Sequence, residues 1–267
     1  MLNDKVTLLI FSCEKFSDLW DAHVEFLEKN WSDRGIKTYI VTDEEHEKHY
    51  ANVKIMPTHT DGLDFPSRLA AALEQVKTEY VFVTLDDYFL IQPVSNEKIA
   101  GLVDLMERES LDYLRLFKRP TNATGNEIPG YPNINYVLTD KEYSVNLYAG
   151  IWRRDFMKKT VEDVKDIWHF EVALTKVSHK LGAKCAVSHN NEFVILDVVR
   201  KGKILIHANR YFKKHNIYVS NRPVHTFWYE FKLGILTWGN RLMPRWVAKI
   251  ARKVLSKFGF HSFSQEG

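Results

Sequence analysis

The chain has 267 residues, 45% apolar and 13% aromatic, enough for one large α/β domain or a domain with an appendage. A charged fraction of 27% is ordinary for a folded protein and excludes a disordered polyelectrolyte. The formal net charge of +3 is too small to point to nucleic acid.

The cations are unevenly placed. Arg241, Arg245, Lys249, Arg252, Lys253 and Lys257 share one acid-free stretch, so much of the excess sits near the C-terminus and the remainder is close to neutral. Two cysteines, Cys13 and Cys185, make neither a disulfide framework nor a metal-ligand spacing. Both adjoin apolar runs and read as buried free thiols, which fits a reducing cytosol. The first residues lead straight into a strand and lack the apolar core of a signal peptide. No apolar stretch approaches the roughly 20 residues that span a bilayer, so the sequons at Asn30 and Asn122 read as incidental.

In chain order, Val6–Phe11 is a continuous apolar run, as expected of a parallel strand covered on both faces. Residues 18–29 have a helical apolar stripe, and 38–42 and 53–56 are further strands, ended by Asp43 and Pro57. Residues 64–68 carry helix-start chemistry, an acidic cap followed by proline, and Leu69, Ala72, Leu73 and Val76 continue it as a helix. Residues 80–85 form a fourth strand that runs into Asp86 and Asp87. This rhythm predicts an α/β fold, a mostly parallel sheet flanked by helices, with ligands at the carboxyl ends of the strands.

Farther on, 112–117 and 143–152 are strand candidates and 119–136, rich in Pro, Gly and Asn, reads as a long loop. A helix is expected over 161–181, and 193–199 with 203–208 fit a hairpin around RKGK at 200–203. Residues 221–267 make a separate aromatic and basic extension to a domain of 1–220. Within it, Pro244 can start a helix with Val247, Ile250, Ala251, Val254 and Phe258 on one side and cations on the other. Such a helix over 244–258 either meets an anionic membrane surface or packs on the domain with its cations in water.

Asp86 and Asp87 follow a buried strand and precede the apolar residues 88–91, so free solvation of both is disfavoured. Two adjacent carboxylates suit a hard divalent cation, Mn²⁺ or Mg²⁺, that neutralises a diphosphate. Neighbours on a straight strand point to opposite faces, so this chemistry requires the chain to turn there. The alternative is a pair of turn-capping acids facing water.

Residues 7–12 (TLLIFS), 84–90 (TLDDYFL), 149–152 (AGIW) and 168–171 (WHFE), in this order and spacing, resemble bacterial GT-A glycosyltransferases of surface-polysaccharide clusters. The resemblance covers most of residues 5–210. It implies a GT-A, Rossmann-like fold and a nucleotide-sugar donor, with UDP-sugars favoured. The family's DxD element stands here as Leu85-Asp86-Asp87, which leaves open which aspartate holds the metal and which meets the nucleotide. The resemblance also places a Glu or Asp at the start of a helix as the base of an inverting enzyme.

Glu171 takes that place. It is spaced with Ile167, Phe170, Leu174, Val177 and Leu181 on an apolar stripe, where desolvation raises a carboxyl toward a general base's range. The bland reading puts it at the stripe's edge, paired with Lys180 or another cation. Glu162, Asp163 and Asp166 fit a solvated first turn.

Ser12 and Asp43 stand at strand ends where a donor's base and ribose would lie, and Arg68 is placed to meet its diphosphate. Each also reads as an ordinary turn, cap or surface residue. Tyr148 and Trp152 are candidates for a sugar-stacking platform or for core. His207, at the end of an apolar run, is either a late metal ligand or structural.

Together these features predict transfer of a sugar from a nucleotide-diphosphate donor to a growing capsule or lipopolysaccharide glycan or another lipid-linked acceptor. The rivals are a sugar nucleotidyltransferase and a non-catalytic sugar-binding scaffold. The first should carry a Gly-rich basic loop after its first strand, and residues 12–16 (SCEKF) are not one.

Overall fold

A computed structural model describes residues 1–61, 64–117, 124–141, 144–161 and 167–230, with the backbone alone at 167–169, 171 and 172. The chain forms two compact units. One is Met1–Val198 with Tyr218–Ser220, the other Val199–Ile217 with the described residues from Asn221.

In the first unit a short helix α1 (Leu2–Lys5) leads into β1 (Val6–Phe11). A 3₁₀ segment (Glu14–Leu19) then precedes α2 (Trp20–Asn30), β2 (Thr38–Thr42) and β3 (Lys54–Pro57). Helix α3 (Phe65–Gln75) starts as its sequence predicts, with Asp64 accepting from the Ser67 N–H at 3.0 Å and proline in the first turn. Next come β4 (Tyr80–Leu85), β5 (Tyr88–Leu90), α4 (Asn96–Glu109) and β6 (Tyr113–Arg115). They are followed by β7 (Thr124–Glu127), β8 (Ile134–Val137), β9 (Gly150–Arg153) and α5 (Arg154–Thr160). The unit's last elements are α6 (Ile167–Lys180), β10 (Cys185–Ser188) and β11 (Ile195–Asp197).

The large sheet has the order β3-β2-β1-β4-β9-β6-β10-β8-β7. Strands β1 to β4 are parallel, β9 runs antiparallel between β4 and β6, and β10 is parallel to β6. Only β8 and β9 oppose the common direction, so the sheet is mostly parallel, as expected. Gly150 is what lets β9 fit: a Cβ there would lie 2.9 Å from the Tyr113 ring and 3.0 Å from the Leu114 carbonyl oxygen.

Every residue of β1 is buried, because successive side chains feed opposite cores. Leu8 and Ile10 join Trp20 and Val24 of α2 and Ile99 and Val103 of α4 on one face. Leu9 and Phe11 join Leu69 and Leu73 of α3, Phe156 of α5 and Phe170 and Leu174 of α6 on the other. Among the described residues no helix is long and apolar enough to cross a membrane.

Several expectations are corrected. The segment 119–136, expected as loop, carries β7 and most of β8; β7 is a polar edge strand (TGNE) and has no apolar alternation to show. The strand expected over 143–152 is confined to β9. Of the helix expected over 161–181, α6 supplies Ile167–Lys180, and Glu162, Asp163 and Asp166 lie outside the described residues; α5, at Arg154–Thr160, precedes it and was not expected. Leu181 is 46% exposed and leaves the expected stripe. Helix α4, which no expectation covered, is capped by Ser95 accepting from the Lys98 N–H at 3.2 Å.

Of the hairpin expected from 193–199 and 203–208, only the ends next to the turn form in the second unit, as β12 (Val199–Arg200) and β13 (Lys203–Ile204) with Lys201 and Gly202 at positive φ; Ile195–Asp197 is β11 and pairs with β5 instead. Its second strand stops at Ile204, and α7 (Ile206–His215) follows. Leu205, Ala208 and Phe212 are buried at helical spacing, so the apolar run satisfied the strand period only at first.

Candidate functional site

Strand β4 ends at Leu85 and β5 begins at Tyr88, so Asp86 and Asp87 are the two residues of the turn between them. The bend that lets adjacent acids serve one ligand is therefore present. It is tied on both sides: the Asp86 N–H donates to the Phe11 carbonyl at 3.0 Å, and the Asp87 carbonyl accepts from the Val198 N–H at 2.9 Å. Asp87 is half-buried, while Asp86 is only 8% exposed. The Asp86 carboxylate accepts a hydrogen bond from the Ser12 hydroxyl, which itself accepts from the Trp20 indole N–H at 2.6 Å.

Behind the turn, His23 of α2 is 3% exposed and its Nδ1 lies 3.0 Å from the Asp86 carbonyl oxygen. A carbonyl can only accept, so Nδ1 carries a proton, and burial, which disfavours the charged ring, leaves the neutral Nδ1–H tautomer. Burial drives its pKa down from 6.5 to about 4, against the pull of this bond, and the Arg34 charge pushes the same way as burial. In the unfolded chain His23 protonates near its ordinary value. Between pH 6.5 and about 4 the unfolded state therefore binds one more proton. Stability that is complete above this window is lost as pH falls through it, by about 3 kcal/mol in all. Urea unfolding in EDTA from pH 7 to pH 4 should show that loss in the wild type and a correspondingly shallower slope in His23→Phe.

Ser12, Asp43, Arg68 and Asp86, singled out separately in the sequence, are brought to one place. Burial acts to raise the Asp43 carboxyl, but the Glu14 N–H at 2.6 Å, the Thr42 hydroxyl at 2.9 Å and the Arg68 charge hold it below the usual carboxylate value. Arg68, in the first turn of α3, is 4% exposed. Cys13 feels the same group: burial raises its thiol, Asp86 and Asp43 add to that, and Arg68 opposes it. Cys13 is half-buried rather than buried, and sequence reasoning missed its place here; its position after Ser12 was the available signal. Cys185 is buried, as expected.

Tyr148 lies beside this turn's exit. Its ring stacks on Tyr88 (5.8 Å, 4° between planes) and on Phe117 (5.8 Å, 26°), and all three are half-buried. Trp152 is different. It is 0% exposed in β9, packed against Tyr113 at 4.0 Å and Phe156 at 6.2 Å, so it is a core residue and offers a sugar no surface.

Glu171 falls within α6, and its side chain lies outside the description. His207 is in the second unit, in the first turn of α7 and not at a strand end, with its Nδ1 3.9 Å from Glu230. Among the described residues no three His, Cys, Asp or Glu side chains converge on a metal position. The donor set of the turn, two carboxylates with one already bonded to Ser12, suits a cation that takes its other ligands from a diphosphate and water. It does not suit an all-protein cage.

No protein-family model matches the chain, and comparison with curated proteins gives no match. Among solved structures, the chain is similar to S. aureus TarS 1–349 in complex with UDP-GlcNAc, at a TM-score of 0.49 and 14% identity, over 75% of this chain and 60% of that one. It is also similar to the mannosyltransferase PcManGT from Pyrobaculum calidifontis in complex with GDP-Man and Mn²⁺, at 0.49 and 12%, over 74% and 58%. The bifunctional IspDF from Campylobacter jejuni follows at 0.43 and 16%, over 72% and 52%. The chain thus spans about three fifths of the length of the first two.

Proposed function

We propose that this chain is a metal-dependent glycosyltransferase of GT-A type. It moves a sugar from a nucleotide-diphosphate donor, a UDP-sugar in first place, to a growing bacterial surface glycan or lipid-linked acceptor. The observation that carries the reading is the Asp86–Asp87 turn at the carboxyl end of β4, with Asp43 and Arg68 gathered around it.

Asp86 and Asp87 would hold Mn²⁺ or Mg²⁺, which supplies charge neutralisation to the departing diphosphate. Arg68 adds a fixed cation, Asp43 accepts from the ribose or base, and Ser12 keeps the Asp86 carboxylate in place. Glu171 takes the acceptor hydroxyl proton as the acceptor oxygen bonds to the anomeric carbon. The bond from that carbon to the diphosphate oxygen breaks, and its electron pair leaves with the diphosphate. Tyr148, with Tyr88, supports the sugar at the mouth of the turn.

The charge balance supports action at the cytoplasmic face of a membrane. Residues 1–198 hold 23 Lys/Arg and 32 Asp/Glu, a net −9, which leaves 14 against 2, a net +12, for residues 199–267. The helix expected over 244–258 lies outside the described residues, and its cations belong to this basic part. An anionic lipid surface is the partner such a segment would take. For the proposed separation of 1–220 from 221–267 the same count gives 29 Lys/Arg against 32 Asp/Glu, a net −3, and 8 against 2, a net +6.

Melting curves with nucleotide diphosphates and their sugars, with and without Mn²⁺, test the reading. A UDP-sugar with Mn²⁺ at 100 times Kd should add about 2.7 kcal/mol, a rise of about 5 °C that EDTA reverses. If no nucleotide shifts the midpoint, the reading fails. Glu171→Gln should keep that shift and slow transfer about 100-fold; an unchanged rate removes Glu171 from the mechanism.

A further inference from the structure

Helix α2 contributes two side chains to the acidic turn, and neither is placed to meet a ligand. Trp20 and His23 are three residues apart and so lie on one face of the helix. Trp20 donates its indole N–H to the Ser12 hydroxyl, leaving the hydroxyl proton for the Asp86 carboxylate. His23 donates to the main-chain carbonyl of the same residue, and its ring rests edge-on against Phe89 at 5.4 Å. One helix face thus holds Asp86 directly at its carbonyl and, through Ser12, at its carboxylate. The main chain of Phe11 and Val198 also ties the turn.

From this we propose that His23 is a positioning residue, with Trp20 and Ser12 as its counterpart, fixing the torsion at Asp86 so that both carboxylates of the turn serve one cation. The inference rests on the donor-binding reading of the turn. Its physical basis is that adjacent residues share a ligand only at one backbone bend, and misplacement by about 1 Å costs on the order of 100-fold. His23 itself touches neither cation nor donor.

His23→Phe keeps a planar ring against Phe89 and removes the N–H donor. His23→Asn returns an N–H close to the position of Nδ1. With UDP as the probe at saturation, His23→Phe should bind Mn²⁺ at least 10-fold more weakly than wild type, and His23→Asn should recover most of the loss. Equal Mn²⁺ affinity in wild type and His23→Phe overturns the proposal, as does an Asn variant no better than Phe.

Hydrogen exchange in the metal-free, nucleotide-free protein gives an independent answer. The Asp86 and Val198 amides should exchange at least 10-fold faster in His23→Phe and near the wild-type rate in His23→Asn. Unchanged exchange overturns the proposal even if wild type binds no nucleotide, the result that would defeat the functional reading by itself. If His23→Phe does not fold, Trp20→Phe, which removes the indole donor together with part of a buried ring, should show faster exchange at Asp86; no change there counts against the clamp.

Discussion

The double variant Asp86→Asn with Asp87→Asn is expected to lose sugar transfer by about 10³-fold and to lose the Mn²⁺-dependent rise in melting temperature. The size follows from the cation's contribution of several kcal/mol to a developing diphosphate, at 1.36 kcal/mol for each tenfold. Asparagine has nearly the shape of aspartate, and its amide oxygen can still accept from Ser12, so the turn keeps its ties while both charges go. Circular dichroism should therefore show wild-type folding. Transfer within threefold of wild type would remove the turn from the chemistry and return it to the role of two capping acids. The single variants show which carboxylate matters more: Asp86, buried and bonded to Ser12, or Asp87, half-buried beside Tyr88.

The second large effect is on stability. Trp152→Ala should cost about 3–5 kcal/mol, the usual range for emptying an aromatic site in a core. The ring is fully buried between Tyr113 and Phe156, in the strand that joins β4 to β6, so the surroundings have little freedom to collapse into the space. Urea unfolding measures the loss, and the molecules that remain folded should bind Mn²⁺ and UDP as wild type does. A loss below about 1 kcal/mol with weakened sugar binding would return Trp152 to the ligand platform.

The first half of the fold was legible because parallel strands covered on both faces leave continuous apolar runs, and β1 and β4 are of that kind. The capped start of α3 and the acids at the end of β4 were legible for similarly local reasons. Elements whose register depends on distant partners were not. Strand β9 is four residues long, and its place between β4 and β6 is set by Gly150 against Tyr113, which no local pattern announces. Helix α4 is a different case: Ile99, Leu102, Val103 and Met106 stand at helical spacing after the Ser95 cap, a local signal that the sequence carries and the expectations above did not use.

The candidate site followed the same division. Its acids and Arg68 could be named from strand ends and a helix start. His23 is one polar residue on an otherwise apolar helix face, and its meaning appears only once the Asp86 carbonyl lies 3.0 Å away. Likewise Tyr88 and Phe117 acquire a role only by stacking on Tyr148 from separate strand ends.

The insertion of β9 also sets an order of assembly. During synthesis β1 to β4 can pair as soon as they emerge, yet the outer edge of β4 stays open until residues 150–153 have left the ribosome. Strand β6 waits for the same segment on one side and for β10 on the other. The acidic turn is finished later still, when Val198 arrives to bond Asp87. A nascent chain paused between these points presents the unpaired, almost wholly apolar YVFVTL edge to its neighbours, the kind of surface that chaperones shield and aggregates exploit.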